Sequence, residues 1–328
     1  MAIVSGSLAS AFDNLSPSTG FVSSTSSEGV ALSFTPEGSK QGSTLKLYGS
    51  FDAQGRLGPL SSAVYVLPDA SSVTLSFPGG STVPELGSAG TTLRVDRLLE
   101  SLLGGDDWFT LGDKADRTQA GSGNDYINAG GGDDVVQGGP GNDFIAGGAG
   151  LDRAVFAGPR SRYAVAVATN GYSIADQSGA DGTDTVSSVE RLQFNDLQVA
   201  LDLDGHAGHA GQVARIIGAV FGAKAVANRD YVGIGLKLLD DGMSYTDLAA
   251  LAVSVTGKSA PADVVKLLWG NVIGGVPSSA DAQPFVDLLK GGMSIGQLAV
   301  LAADTDLNAT NIDLTGLAKT GLEYHASP

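Results

Sequence analysis

The chain has 328 residues, with 19 Lys and Arg against 35 Asp and Glu, a formal charge of −16. That balance argues against nucleic acid or another polyanion as a partner, because phosphate contacts need clustered cations. Cysteine is absent and only three His occur, which excludes disulfides, thiolate nucleophiles and Cys-ligated zinc or iron–sulfur clusters, and leaves little for multi-histidine metal catalysis.

The length predicts two or three domains, and a hydrophobic share of 42% is enough for a sizeable core. Met1-Ala-Ile-Val-Ser-Gly-Ser has no basic segment followed by an apolar one, so no N-terminal secretory signal is expected. No uninterrupted apolar run reaches the ~18 residues of a membrane span; the best candidate, Val213–Ala227, contains Arg215 and Lys224. By these tests alone the chain reads as cytosolic. Short strand-like runs recur at Val30–Phe34, Leu45–Phe51, Val64–Leu67 and Val73–Phe77, with Pro78-Gly-Gly as a turn. This spacing predicts a small β-rich module over residues 1–100. Val95–Leu103 then predicts a short helix.

From Ala120 the chain reads AGSGNDYIN, AGGGDDVVQ, GGPGNDFIA and GGAGLDRAV, four nonapeptides without a spacing error. Their sixth positions are Asp125, Asp134, Asp143 and Asp152; the register runs back to Asp116 in LGDKADRTQ and Asp107 in LLGGDDWFT. The eighth positions are Phe109, Thr118, Ile127, Val136, Ile145 and Ala154, mostly apolar. Residues 104–152 hold 14 glycines and nine Asp against Lys114 and Arg117. Without a cation such carboxylates repel one another, and ordering so much glycine costs much entropy. A flexible Gly/Asp linker would not keep strict phasing with an apolar eighth position.

The G-G-x-G-x-D-x-U-x pattern is the calcium-binding nonapeptide, and the segment resembles the RTX (repeats-in-toxin) family of parallel β-rolls. The resemblance implies that two nonapeptides make one coil, that like turns stack 18 residues apart, and that Ca2+ ions lie between stacked turns. Carboxylates and backbone carbonyls together suit a hard cation that takes six to eight oxygens. Carried over by position, the metal residues are Asp107, Asp116, Asp125, Asp134, Asp143 and Asp152, with Asn124, Asp133 and Asn142 at the fifth position contributing a carbonyl. The turn glycines are Gly121, Gly123, Gly130, Gly132, Gly139, Gly141, Gly148 and Gly150. The pairs are Asp125 with Asp143, Asp134 with Asp152, Asp116 with Asp134 and Asp107 with Asp125; the first two repeats have lost glycines.

The roll is expected over 101–156. Alternating segments over 157–204 follow, and GTDTVSSVERLQFND within them resembles the β segment that often closes an RTX roll, covering its open strand edges. From residue 205 to 328 a helical domain is expected. Val213, Ile216, Ile217, Val220 and Phe221 share one helical face. LLDDGMSYTDLAALA at 238–252 returns as LLKGGMSIGQLAVLA at 288–302, so residues 205–304 read as two copies of a three-helix unit. This part is similar to the helical domains often found after RTX repeats in secreted proteins. The fold class is therefore multidomain and mainly β: an N-terminal β module, a parallel β-roll with a β cap, and a two-repeat α-helical domain.

Gly292-Met-Ser-Ile-Gly296 fits the G-x-S-x-G elbow of serine hydrolases, but a Leu-rich helix precedes it. Ser294 and its twin Ser244, with Gln297 and Asp247 three residues on, read as helix caps. His206 and His209 lack the Glu of a zinc motif and read as exposed linker residues. Asp202-Leu-Asp-Gly205 reads as an exposed strand end rather than a calcium loop, and Trp108 and Trp269 as core residues rather than a sugar platform. The chain is not expected to be an enzyme.

The resemblance reverses the cytosolic expectation, because RTX proteins leave Gram-negative cells unfolded through type I secretion machinery, using a C-terminal signal. The expected function is a secreted, calcium-binding structural protein of the bacterial cell surface that self-assembles as an S-layer or sheet. The acidic, Cys-free, Ser/Thr/Ala/Gly-rich composition resembles S-layer subunits. Its partners would be further copies of itself and, at the cell surface, polysaccharide. The alternatives are an adhesin or biofilm-matrix protein and, third, a hydrolase with a site in residues 1–93.

Overall fold

A computed structural model describes residues 104–203 and 208–326 in full, and seven strands between residues 3 and 94 as backbone. The expected helix at Val95–Leu103, and His206 and Gly205, lie outside the described residues. The chain divides into two compact units, 1–189 and 190–328.

In the first unit the N-terminal strands are β1 (Ile3–Ser5), β2 (Thr19–Ser26), β3 (Gly29–Ser33), β4 (Thr44–Phe51), β5 (Leu57–Val66), β6 (Ser72–Ser81) and β7 (Leu93–Arg94). Strands β2 to β6 pair antiparallel in sequence order. The four runs picked out by alternation fall on β3, β4, β5 and β6.

The nonapeptides then form two parallel ladders. One contains β8 (Trp108–Thr110), β10 (Tyr126–Gly131) and β12 (Phe144–Ala149); the other contains β9 (Arg117–Gln119), β11 (Val135–Gln137) and β13 (Arg153–Val155). Ile127 lies opposite Phe109 and Ile145, and Val136 opposite Thr118 and Ala154, so every partner is 18 residues away. A strand alternates its faces, and all six eighth-position side chains are buried. The seventh position therefore points outward. Trp108, Tyr126 and Phe144 stack there, with ring centroids 4.2 and 5.1 Å apart. Trp108 is 44% exposed, which corrects its reading as a core residue.

After the last repeat the chain forms β14 (Tyr163–Ala168), β15 (Gly171–Asp176) and β16 (Thr183–Ser187). β14–β15 is an antiparallel hairpin, β15 pairs with β16, and β16 lies parallel to β12. Arg162 makes a two-pronged ion pair with Asp176, 2.7 Å on each arm, pinning the hairpin's ends.

The second unit starts with β17 (Arg191–Gln193) and β18 (Gln198–Ala200). Its helices are α1 (His209–Phe221), α2 (Arg229–Asp240), α3 (Tyr245–Val255), α4 (Pro261–Val272), α5 (Ser279–Lys290), α6 (Ile295–Ala303), α7 (Asp306–Asn311) and α8 (Leu314–Thr320). The fifty-residue repeat holds: α1, α2 and α3 recur as α4, α5 and α6. The twins differ in burial. Helix α1 is covered on both faces, with Val213 and Ile217 in one core cluster and Ile216 and Val220 in the other, which corrects the expectation that these residues share a single face. A helix apolar all round belongs inside a core, which explains why this segment was the most membrane-like stretch of the chain. Helix α4 buries one face only, through Val264, Val265, Leu268 and Val272, and Trp269 on it is half-buried. A strand the sequence did not announce, β19 (Leu322–Tyr324), follows α8 and pairs antiparallel with β18.

The G-x-S-x-G motif is a packing and capping device. Ser294 and Gln297 form a reciprocal capping box, and Ser244 accepts the Asp247 N–H. A methyl group on Gly296 would lie 2.3 Å from the Thr246 carbonyl oxygen, so this glycine lets α6 cross its twin α3 closely.

Candidate metal centre

Each repeat enters its strand through a glycine turn followed by Asp. Gly139 and Gly141 have φ of +118° and +147°, outside what L side chains readily adopt. Contact gives a second reason for glycine there: a methyl group on Gly141 would sit 1.7 Å from the Gly123 carbonyl oxygen one coil back. At the first position, a methyl on Gly138 would sit 2.0 Å from Oδ2 of Asp143. The glycines thus leave room both for stacked carbonyls and for the carboxylate.

All six register aspartates are at most 3% exposed. Their carboxylates make a repeated contact: Oδ1 of Asp125 accepts the N–H of Asp107 at 2.8 Å, Asp143 that of Asp125 at 2.8 Å, Asp134 that of Asp116 at 2.6 Å and Asp152 that of Asp134 at 2.9 Å. The structure therefore brings together all four stacked pairs, including Asp107 with Asp125 and Asp116 with Asp134, whose first members lie in the glycine-poor repeats. The second oxygen is different. Oδ2 of Asp125, Asp134 and Asp143 is buried without a hydrogen-bond partner. A buried charged oxygen left unsatisfied is costly, and native proteins seldom tolerate it unless an ion or water fills the gap.

The fifth-position side chains run a second ladder in the opposite sense. Oδ1 of Asn124 accepts the N–H of Asn142 at 2.8 Å, Asn142 that of Thr183 at 2.8 Å, and Asp133 that of Leu151 at 2.9 Å. Asp106, which the sequence reading did not single out, does the same for Asn124 at 2.7 Å. These side chains brace successive turns, which leaves the fifth-position backbone carbonyl as what they offer an ion.

Burial raises the carboxyl pKa of Asp125 and Asp134 to about 7 and that of Asp143 to about 6. Hydrogen bonds from the backbone oppose this, and the neighbouring carboxylates of the stack add to it. Asp152 is raised for the same first reason. The metal-free stack thus resists ionisation, and a divalent cation would reverse the preference by supplying positive charge. Among the described residues no three His, Cys, Asp or Glu side chains converge as a metal cluster by themselves. An ion held here would draw much of its shell from backbone carbonyls, as calcium readily does. The donor set is all oxygen, and the unpartnered Oδ2 atoms fit such an ion.

The sequence missed Asp184. It is as buried as the register aspartates, and its Oδ1 accepts the N–H of Asp143 at 2.8 Å, 41 residues away rather than 18. Burial lifts its pKa to about 8. The available signal was the string GADGTDTVS at 179–187, which matches the nonapeptide at its first, fourth, sixth and eighth positions.

Other candidates behave as ordinary structure. Asp202 pairs with the buried Arg191, which also reaches Asp240 at 3.0 Å; the strand-end reading of Asp202 becomes that of an ion-pair partner. His209 is at the start of α1, 2.7 Å from Asp240, a specific contact rather than a free linker residue.

Comparison with known proteins gives a consistent result. Residues 119–154 match the family of RTX calcium-binding nonapeptide repeats, in four copies. No curated protein sequence matches the chain. Among solved structures, the crystal structure of extracellular lipase LipA from Serratia marcescens is similar at 25% identity and a TM-score of 0.26, covering 28% of this chain and 14% of that one. The match spans a small part of the lipase's own length. The nonapeptide register, its 18-residue pairing and the family match together establish that residues 119–154 are RTX nonapeptide repeats, a repeat type that binds Ca2+.

Proposed function

We propose that this protein is exported unfolded through type I secretion machinery, folds on extracellular calcium, and assembles with copies of itself into a structural layer at the surface of a Gram-negative cell. The calcium ligands in this reading are the carboxylates of Asp107, Asp116, Asp125, Asp134, Asp143 and Asp152, with backbone carbonyls of the glycine turns and of Asn124, Asp133 and Asn142. The roll over 101–156 is the calcium-dependent part.

One observation carries the reading: the buried second carboxylate oxygens of Asp125, Asp134 and Asp143, which have no partner within the protein. Where calcium is scarce these groups oppose folding. Outside the cell, binding free energy becomes folding free energy. No helix among the described residues is long and apolar enough to cross a membrane. Support for assembly comes from the second unit, where Tyr231, Ile234, Val255, Ile273, Val276 and Leu301 are exposed. Tyr231, Ile234 and Val255 line one groove, and contiguous exposed apolar surface of this kind marks interaction sites where scattered residues do not.

Circular dichroism across a calcium titration, reversed with EGTA, tests the folding step; strand signal that is complete in EGTA overturns it. Electron microscopy of the purified protein with calcium tests assembly. An ordered sheet is expected, and dispersed particles at all protein and calcium concentrations overturn it.

A further inference from the structure

The closing strand β16 repeats the roll's own contacts. Within the roll, the N–H of Phe144 donates to the Asp125 carbonyl at 2.8 Å; the N–H of Thr185 donates to the Asp143 carbonyl at 2.8 Å. Asp143 Oδ1 takes the Asp125 N–H, and Asp184 Oδ1 takes the Asp143 N–H. Asn124 holds the fifth-position N–H of the next coil, and Asn142 holds that of Thr183. Gly141 lies over the Gly123 carbonyl, and Gly182, with φ of +75°, lies over the Gly141 carbonyl, which a methyl group would approach to 2.1 Å. Val186 is opposite Ile145 and buried like the other eighth-position residues. The chain thus leaves the roll after residue 155, makes the β14–β15 hairpin, and re-enters the nine-residue register one coil beyond Asp143.

We propose that Gly179–Asp184 is a displaced seventh repeat turn, and that with the turn at 138–143 it forms a calcium site whose carboxylates come from Asp143 and Asp184. The proposal rests on the calcium reading of the roll and extends it to residues outside the matched repeats. Asp143 supplies the independent observation: it is at least nine-tenths buried, and its Oδ2 lies in this turn without a partner. Asp181, whose backbone carbonyl accepts the Gly141 N–H at 3.2 Å, adds further negative charge beside both carboxylates. The turn departs from the pattern at its second position, where Ala180 stands in place of glycine and φ is not positive. The carbonyl geometry of that position is therefore not carried over. The consequence is mechanical: the ion would fasten the capping hairpin to the roll, so the cap would close only when calcium arrives.

The test counts ions and follows the hairpin. Isothermal titration calorimetry and equilibrium dialysis would compare the wild-type chain with Asp184→Asn, which keeps an acceptor for the Asp143 N–H and removes the charge. The expected result is one calcium ion fewer, with far-UV dichroism in calcium showing the rest of the roll folded. Unchanged stoichiometry and midpoint overturn the site. Hydrogen exchange on the wild-type chain is independent of how the variant folds. Protection of residues 163–187 should rise with calcium together with that of 120–152. Protection of 163–187 that is the same with and without calcium, while 120–152 responds, also overturns it. Failure of the wild-type chain to bind any calcium would instead sink the reading of the roll itself.

Discussion

Both units bury charge, and they neutralise it by different means. In the helical unit, Arg191 is fully buried but lies between the carboxylates of Asp202 and Asp240. In the roll, Asp125, Asp134 and Asp143 are equally hidden, yet each keeps an oxygen with no partner in the protein. The helical unit pairs the Arg191 charge from its own sequence; its apolar clusters close around α1, and Asn228, Ser244, Ser278, Ser294, Thr305 and Asp313 cap helix starts. The roll satisfies its backbone in the same way but leaves its charge to the environment. A unit of the first kind needs no metal ion to complete its fold. One of the second kind folds where its counter-ion is.

Calcium removal is the largest expected separation between the two. Chelation should abolish hydrogen-exchange protection across residues 120–152 while α1 to α6 keep theirs; simultaneous loss in both regions would break the comparison. Next comes the helical unit's own charge. Arg191→Ala removes the cation shared by the partly exposed carboxylates of Asp202 and Asp240, and should cost that unit roughly 1–3 kcal/mol in denaturant unfolding, with the calcium midpoint of the roll unchanged.

Gly141→Ala strikes the roll with calcium present, by forcing a methyl against the Gly123 carbonyl at a positive φ. Strain of about 1–3 kcal/mol should shift the calcium-folding midpoint upward in a dichroism titration. Proton dependence separates the units further. Asp125, Asp134 and Asp143 have folded pKa values raised to about 7, 7 and 6, so the metal-free folded roll holds more protons than the unfolded chain. That stabilisation is complete below the unfolded value near pH 4 and is lost as pH rises through 6 to 7. The metal-free roll should therefore be more ordered at pH 5 than at pH 8, and calcium affinity should fall on acidification as protons compete. Opposite slopes in a pH series of calcium titrations would refute this. The smallest effect is expected for Ser294→Ala, about 1 kcal/mol from the lost cap, measured by thermal unfolding of the helical unit.

Two periods made most of this protein readable. The nine-residue register located the six aspartates, their 18-residue partners and the inward eighth positions, because each depends only on local turn chemistry and strand alternation. The fifty-residue repeat located the helix pairs for the same reason. Trp108 was misread because hydrophobicity alone does not say which strand face is inside; its place at the seventh position, between the buried Asp107 and Phe109, does. Asp184 was passed over because a hairpin breaks the spacing, and β19 because three residues carry no period.

Sequence by itself determined where calcium-type turns occur, where helices begin, and that the acid surplus is concentrated in one array. These follow from φ preferences, side-chain volume and charge, which act over a few residues. Tertiary structure decided which carboxylate oxygen is left without a partner, that Arg191 bridges Asp202 and Asp240, and that residues 179–187 rejoin the register left at residue 155. Those outcomes depend on pairing between segments far apart in the chain, and spacing along one strand of sequence does not record which segments meet.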